Sequence, residues 1–185
     1  MAGERKQQIL ETLAKMLESP KREKITTASL AAKLDVSEAA LYRHFAGKAQ
    51  MFEGLIEFIE QSLFGLINKI TTEEQNGLAQ VQRIATVLLI FAEKNPGMTR
   101  VLIGDALVNE DDSLQVRINQ LFDRVESTLK QSLRIAETQT GRKLEPEAKA
   151  NLIISFVLGR WHQFAKSGFK RKPMEFAQQQ LELFN

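Results

Sequence analysis

Between residues 51 and 70 the apolar side chains Met51, Phe52, Leu55, Phe58, Ile59, Leu63, Leu66 and Ile70 recur every three or four positions. That spacing belongs to one face of a helix, and no stretch of the chain alternates in the manner of a half-buried strand. The same period predicts helices over 4–18, 28–34, 38–45, 48 to about 70, 78–93, 98–108, 114–138, 146–166 and 174–184. The breaks fall where helix breakers stand: Ser19-Pro20, Ala46-Gly47, Asn95-Pro96-Gly97 and Thr140-Gly141-Arg142. Pro146 suits a first helical position, where its missing amide proton costs nothing. The expected fold class is all-α.

Composition narrows what such a chain does. With 43% hydrophobic and 26% charged residues among 185, it is an ordinary globular sequence. No apolar run approaches the roughly 20 residues a bilayer requires, so no membrane partner is expected. The first ten residues, MAGERKQQIL, carry no signal core, and the absence of cysteine suits a reducing cytosol. An enzyme finds little here. His44 and His162 lie far apart in sequence, the carboxylate pairs Glu73-Glu74 and Asp111-Asp112 point apart, and no phosphate-cradling loop occurs. Neither a metal nor a cofactor is expected.

The charge is uneven: residues 1–50 hold nine Lys/Arg against six Asp/Glu, and the remainder sixteen against seventeen. A small basic head on a neutral body suits an anionic partner. Within that head, the basic stretch Lys21-Arg22-Glu23-Lys24 leads into two short helical segments joined only by Asp35-Val36-Ser37. Thr26 and Thr27 supply a cap for the first and Ser37 a cap for the second, because a hydroxyl accepts from the unpaired amides of a first turn. This is a helix-turn-helix pattern over about 26–45, with Leu30, Ala31, Leu34, Val36, Leu41 and Phe45 turned inward. Tyr42, Arg43 and His44 are then left on the flanks and outer face. The small end Ser37-Glu38-Ala39-Ala40 is shaped to enter a major groove. There Ala39 or Ala40 would lie against a thymine methyl and Glu38 would accept from cytosine N4, with Arg43 a guanine or phosphate contact. Tyr42, His44, Lys48 and the Thr26-Thr27 cap would sit over flanking phosphates, which fix register without reading sequence.

The stretch ITTASLAAKLDVSEAALYRHFAGKAQMF resembles the DNA-binding head of the TetR-type repressor family, whose recognition helix reads Leu-Tyr-x-His-Phe and is followed by Lys. The family norm after it is Phe-Pro-Ser-Lys, against Phe45-Ala46-Gly47-Lys48 here. The resemblance implies an all-helical homodimer on pseudo-palindromic double-stranded DNA. It makes Thr26, Thr27, Ser37, Tyr42, His44 and Lys48 phosphate contacts, and Glu38, Ala39, Ala40 and Arg43 base-side positions. The body segments GLIEFIE, EKNPGMTRVLIGDAL and RINQLFDRVESTLKQSLR resemble the nucleoid occlusion branch of the family. That branch implies a DNA-activated antagonist of the division GTPase FtsZ, cytoplasmic and nucleoid-associated. It puts the FtsZ surface at Phe58, Leu66, Val87, Ile90, Lys94 and Asn95, although Leu66 stands where the branch has arginine and Ile90 where it has glycine.

The expected division is a DNA-reading part, 1–47, and a dimerisation and effector part, 48–185. A two-fold four-helix interface is expected from Leu114, Ile118, Leu121, Val125, Leu129 and Leu133 on one helix. Ile153, Phe156, Gly159 and Trp161 on the next would complete it, because the run from Asn151 to Phe164 is apolar on more than one face. Two other readings stay open. A ligand-released repressor would need a central cavity using Thr86, Asn109 and Arg100, with His162 beside Trp161 as a further lining candidate. A helical scaffold without DNA would leave Tyr42 and His44 dispensable.

Overall fold

A computed structural model describes residues 2–19 and 24–184, and among them every regular element is helical. The helices are α1 (Ala2–Leu17), α2 (Thr27–Lys33), α3 (Glu38–Tyr42), α4 (Lys48–Glu73), α5 (Gly77–Lys94), α6 (Pro96–Leu102), α7 (Asp112–Thr140), α8 (Pro146–Lys166) and α9 (Ala177–Glu182), with a 3-10 turn at Asp105–Leu107. Pro20, Lys21, Arg22 and Glu23, most of the expected basic loop, lie outside the described residues. The chain forms two compact units, one of Met1–Ile59 with Pro96–Ile118 and one of Glu60–Asn95 with Asn119–Asn185. The expected boundary at residue 47 falls inside the first of these units, which also holds the start of α4 and all of α6.

In the first unit α1 packs on α2 and α6, and α2 on α3. Ile9, Leu13, Leu30, Leu41, Phe52, Leu55 and Val101 are at most 1% exposed and form its core. Gly97 lets α6 press against α1: a Cβ there would stand 1.9 Å from the Ala14 carbonyl oxygen. Arg100 closes the same region. Its Nε donates to Asp105 Oδ2 at 2.7 Å and its Nη1 to the carbonyls of Leu17 and Ser19 at 3.1 and 3.3 Å. A guanidinium 9% exposed requires such partners, since an unpaired buried charge costs several kcal/mol or more.

The second unit is built on α5, which packs against α8 and α9. Gly77 brings α5 close to α7, as a Cβ there would lie 2.3 Å from the Ser132 carbonyl oxygen. Nearby, Ser132 Oγ donates to Gln80 Oε1 at 2.7 Å, and Gln80 Nε2 donates to the Glu74 carbonyl at 2.6 Å. Trp161 is fully buried, with its ring 5.8 Å from that of Phe122 and its indole N–H donated to the Leu88 carbonyl at 3.2 Å.

Several expectations are corrected. The helix expected over 98–108 begins at Pro96 and stops at Leu102, because Gly104 turns left-handed at φ 78° and the 3-10 turn follows. The helix expected over 174–184 is Ala177–Glu182, behind Phe176 at φ 60°. The second short helix ends at Tyr42 rather than Phe45. The interface expectation changes most. Leu114, Ile118, Leu121, Val125, Leu129, Leu133, Ile153 and Trp161 are all at most 1% exposed within a single chain, so they are core and offer a partner no surface. Of the residues named for that interface, Gly159 is exposed and Phe156 half-buried, and Leu152 beside them on α8 is 53% exposed.

Candidate nucleic-acid interface

The geometry of α2 and α3 follows from their caps. Thr26 Oγ1 accepts the Ser29 amide and Ser29 Oγ accepts the Thr26 amide, both at 3.0 Å, a reciprocal box that fixes the start of α2. Ser37 Oγ accepts the Ala40 amide at 3.3 Å and starts α3. Each capping hydroxyl keeps its proton, so Thr26 and Ser37 can still donate to a phosphate. Leu30, Ala31, Leu41 and Phe45 are buried as expected, whereas Leu34 and Val36 are half-buried.

The outer face of α3 is open. Glu38, Ala39, Tyr42 and Arg43 are exposed, and Ala40 and His44 are half-buried. Three of the expected DNA residues are joined to one another. Thr27 Oγ1 donates to Glu38 Oε2 at 2.6 Å, and the Tyr42 hydroxyl donates to Thr27 Oγ1 at 3.4 Å. The Glu38 carboxylate is therefore oriented by the chain itself. Thr27 and Tyr42 must turn their protons away from this cluster to reach a phosphate, and the long Tyr42 bond makes that the easier release.

The departure at Ala46-Gly47 is met locally. A glycine brings no capping side chain to the start of α4, and Gln50 Oε1 reaches back to accept the Ala46 amide at 2.6 Å. The glutamine three residues into the helix is the readable signal for this. Lys48 is engaged within the chain: its ammonium pairs with Glu110 and lies 5.6 Å from the centre of the Phe52 ring. Glu110 is a functional candidate that sequence reasoning missed, because nothing local announces a partner 62 residues away.

The residues expected to receive FtsZ divide between the two units: Phe58 belongs to the first, and Leu66, Val87, Ile90, Lys94 and Asn95 to the second. Within the second unit Leu66 and Val87 line one groove of about 510 Å³, together with Lys69, Ile70, Gln82, Arg83 and Thr86. Of the residues named for a ligand cavity, Arg100 and Asn109 line one pocket of about 300 Å³ in the first unit, together with Lys48, Phe52, Asp105 and Glu110. Thr86 belongs to the second unit, Asn109 is exposed in the first, and Arg100 is committed to Asp105 and two carbonyls. His162 is exposed, while its neighbour Trp161 is core. Among the described residues no cluster of metal-binding side chains occurs, and no helix is long and apolar enough to cross a membrane.

Comparison with known proteins agrees with this geometry. Residues 22–55 match the sequence profile of bacterial regulatory proteins of the tetR family, and residues 75–185 match the SlmA-like form of the tetracyclin repressor-like C-terminal domain. The nucleoid occlusion factor SlmA of Alteromonas mediterranea is 52% identical over 97% of this chain and 93% of its own length. SlmA of a Marinomonas species is 51% identical over 94% and 89%. In fold, the chain is similar to the TetR family transcriptional regulator PfmR of Thermus thermophilus, with a TM-score of 0.79 and 22% identity over 95% of this chain and 96% of that one. That family is one of DNA-binding regulators and not of enzymes. The chain belongs to the SlmA family of nucleoid occlusion factors, built on the TetR-type all-helical architecture.

Proposed function

We propose that the protein is a nucleoid occlusion factor: it binds scattered chromosomal sites and, when bound, antagonises FtsZ assembly over the nucleoid. The observation that carries this is the likeness to SlmA at about half identity over nearly the whole chain, body included. In this reading two copies associate through the exposed stripe of α8 around Leu152, Phe156 and Gly159 and offer two α3 faces to successive major grooves. The DNA fixes each dimer in place, so the antagonist is concentrated wherever its sites lie.

The second-unit groove supports an FtsZ contact. Leu66, Ile70 and Val87 give it an apolar floor, and Lys69 and Arg83 are cations on its lining. Lys69 pairs with Glu73 at 3.9 Å and Arg83 with Glu74 at 3.5 Å, long and exposed pairs from which an acidic peptide can draw both cations. Such a groove suits a short acidic peptide carrying a few apolar anchors. The test is fluorescence anisotropy of a labelled FtsZ C-terminal peptide, with and without a duplex the protein recognises. We expect saturable binding that tightens with DNA and falls at least tenfold when Lys69 and Arg83 are both changed to Glu. Absence of binding in both conditions overturns the FtsZ part of the reading and leaves a DNA-binding regulator.

A further inference from the structure

We infer that Glu110 is a positioning residue for DNA binding: its carboxylate holds the Lys48 ammonium, and a DNA phosphate must displace it to gain that contact. The inference rests on the DNA-reading role of the head. Lys48 opens α4, directly after the turn that follows α3, where an ammonium can meet the backbone flanking a reading helix. It is not waiting in solvent. Its side chain is 21% exposed and that of Glu110 13%, and the ammonium also rests over the Phe52 ring. An ion pair this sheltered is screened by salt less than a surface pair, so releasing it has a definite cost.

Glu110 occupies a connection suited to letting go. Val108 is 67% exposed, Asn109 is left-handed at φ 66°, and the Glu110 amide donates to the Leu107 carbonyl at 3.0 Å. Asp111 then starts α7 by accepting the Ser113 amide at 2.9 Å. The segment between the 3-10 turn and α7 is thus pinned at both ends and tied to the head by one ammonium. When phosphate takes Lys48, residues 108–110 lose that tie. DNA occupancy is thereby reported at the start of α7 without any movement of the cap itself.

The competition has a sign. Removing the Glu110 charge leaves Lys48 wholly available, so DNA of any sequence binds more tightly. The experiment is anisotropy of a fluorescein-labelled duplex of arbitrary sequence against the full chain. Glu110→Gln should tighten binding about three- to tenfold, and the gain should vanish when Lys48→Met is added. Asp112→Asn removes a nearby exposed charge without touching the pair and should change affinity less than twofold. A second measurement needs no substitution: amide exchange at residues 108–111 of the wild-type protein should speed up when duplex is added. Unchanged or weaker binding by Glu110→Gln, a gain that survives Lys48→Met, or exchange that is unchanged or slower each overturns the inference while the DNA reading stands. A wild-type protein that binds no duplex overturns both.

Discussion

Two polar clusters of nearly the same chemistry serve opposite ends in this molecule. In the first unit the Thr27 hydroxyl donates to Glu38 at 2.6 Å and accepts from Tyr42; in the second the Ser132 hydroxyl donates to Gln80 at 2.7 Å. Each joins two helices through a hydroxyl and an sp² oxygen. What differs is water. Glu38 is exposed and Tyr42 is 49% exposed, whereas Gln80 is 3% and Ser132 1% exposed. Water replaces any bond broken in the first cluster, so it contributes little stability, and in the proposed function its groups are available for exchange with DNA. In the second nothing replaces a lost partner, so the bond is obligatory and structural. Bond length alone does not tell an exchangeable contact from a brace; access to water does.

The largest test of that contrast is Gly77→Ala. Its Cβ would meet the backbone of Ser132 and Ala136 at 2.3 and 2.5 Å, so α5 must move off α7. Denaturant unfolding should show a loss of about 3 kcal/mol or more. Ser132→Ala is next, because it leaves the Gln80 oxygen buried without its donor. It should cost about 1–3 kcal/mol in the same assay and leave DNA affinity of the folded protein unchanged. Tyr42→Phe should invert the pattern, with stability within about 0.5 kcal/mol of wild type and DNA affinity down about tenfold. A Tyr42→Phe protein that loses stability and keeps its affinity would put the exposed cluster in the same class as the buried one.

The smallest expected effect concerns Asp111, the α7 cap. Its hydrogen bonds from the Ser113 hydroxyl and amide hold its carboxyl below the usual carboxylate range. A lowered folded value means that the cap contributes fully above the ordinary carboxylate pKa and is lost as pH falls through the folded one. The melting difference between wild type and Asp111→Asn should therefore shrink on acidification.

Much of this architecture was readable from apolar spacing, since a helix of several turns repeats its signal many times. Short or broken elements were not. Gly104 ends α6 and Phe176 turns left-handed before α9, and each is a single backbone choice that periodicity does not register. The leucine stripe of α7 shows a different limit. Its spacing declares an apolar face without saying whether the same chain or a second one covers it; the same chain does. In the head, the residue types and caps were legible because they are local. The Thr27–Glu38 bond spans 11 residues and the Lys48–Glu110 pair 62, so both emerge only in three dimensions.

In the proposed function α3 reads DNA on behalf of a two-fold dimer. The most direct measurement is selection of duplexes from a random pool by the purified protein, with sequencing of what is retained. A pseudo-palindrome is expected, with half-sites about one helical turn apart and with enrichment lost when Tyr42 and Arg43 are both changed to Ala. Retention without any shared sequence, or the same enrichment from the double variant, would contradict it.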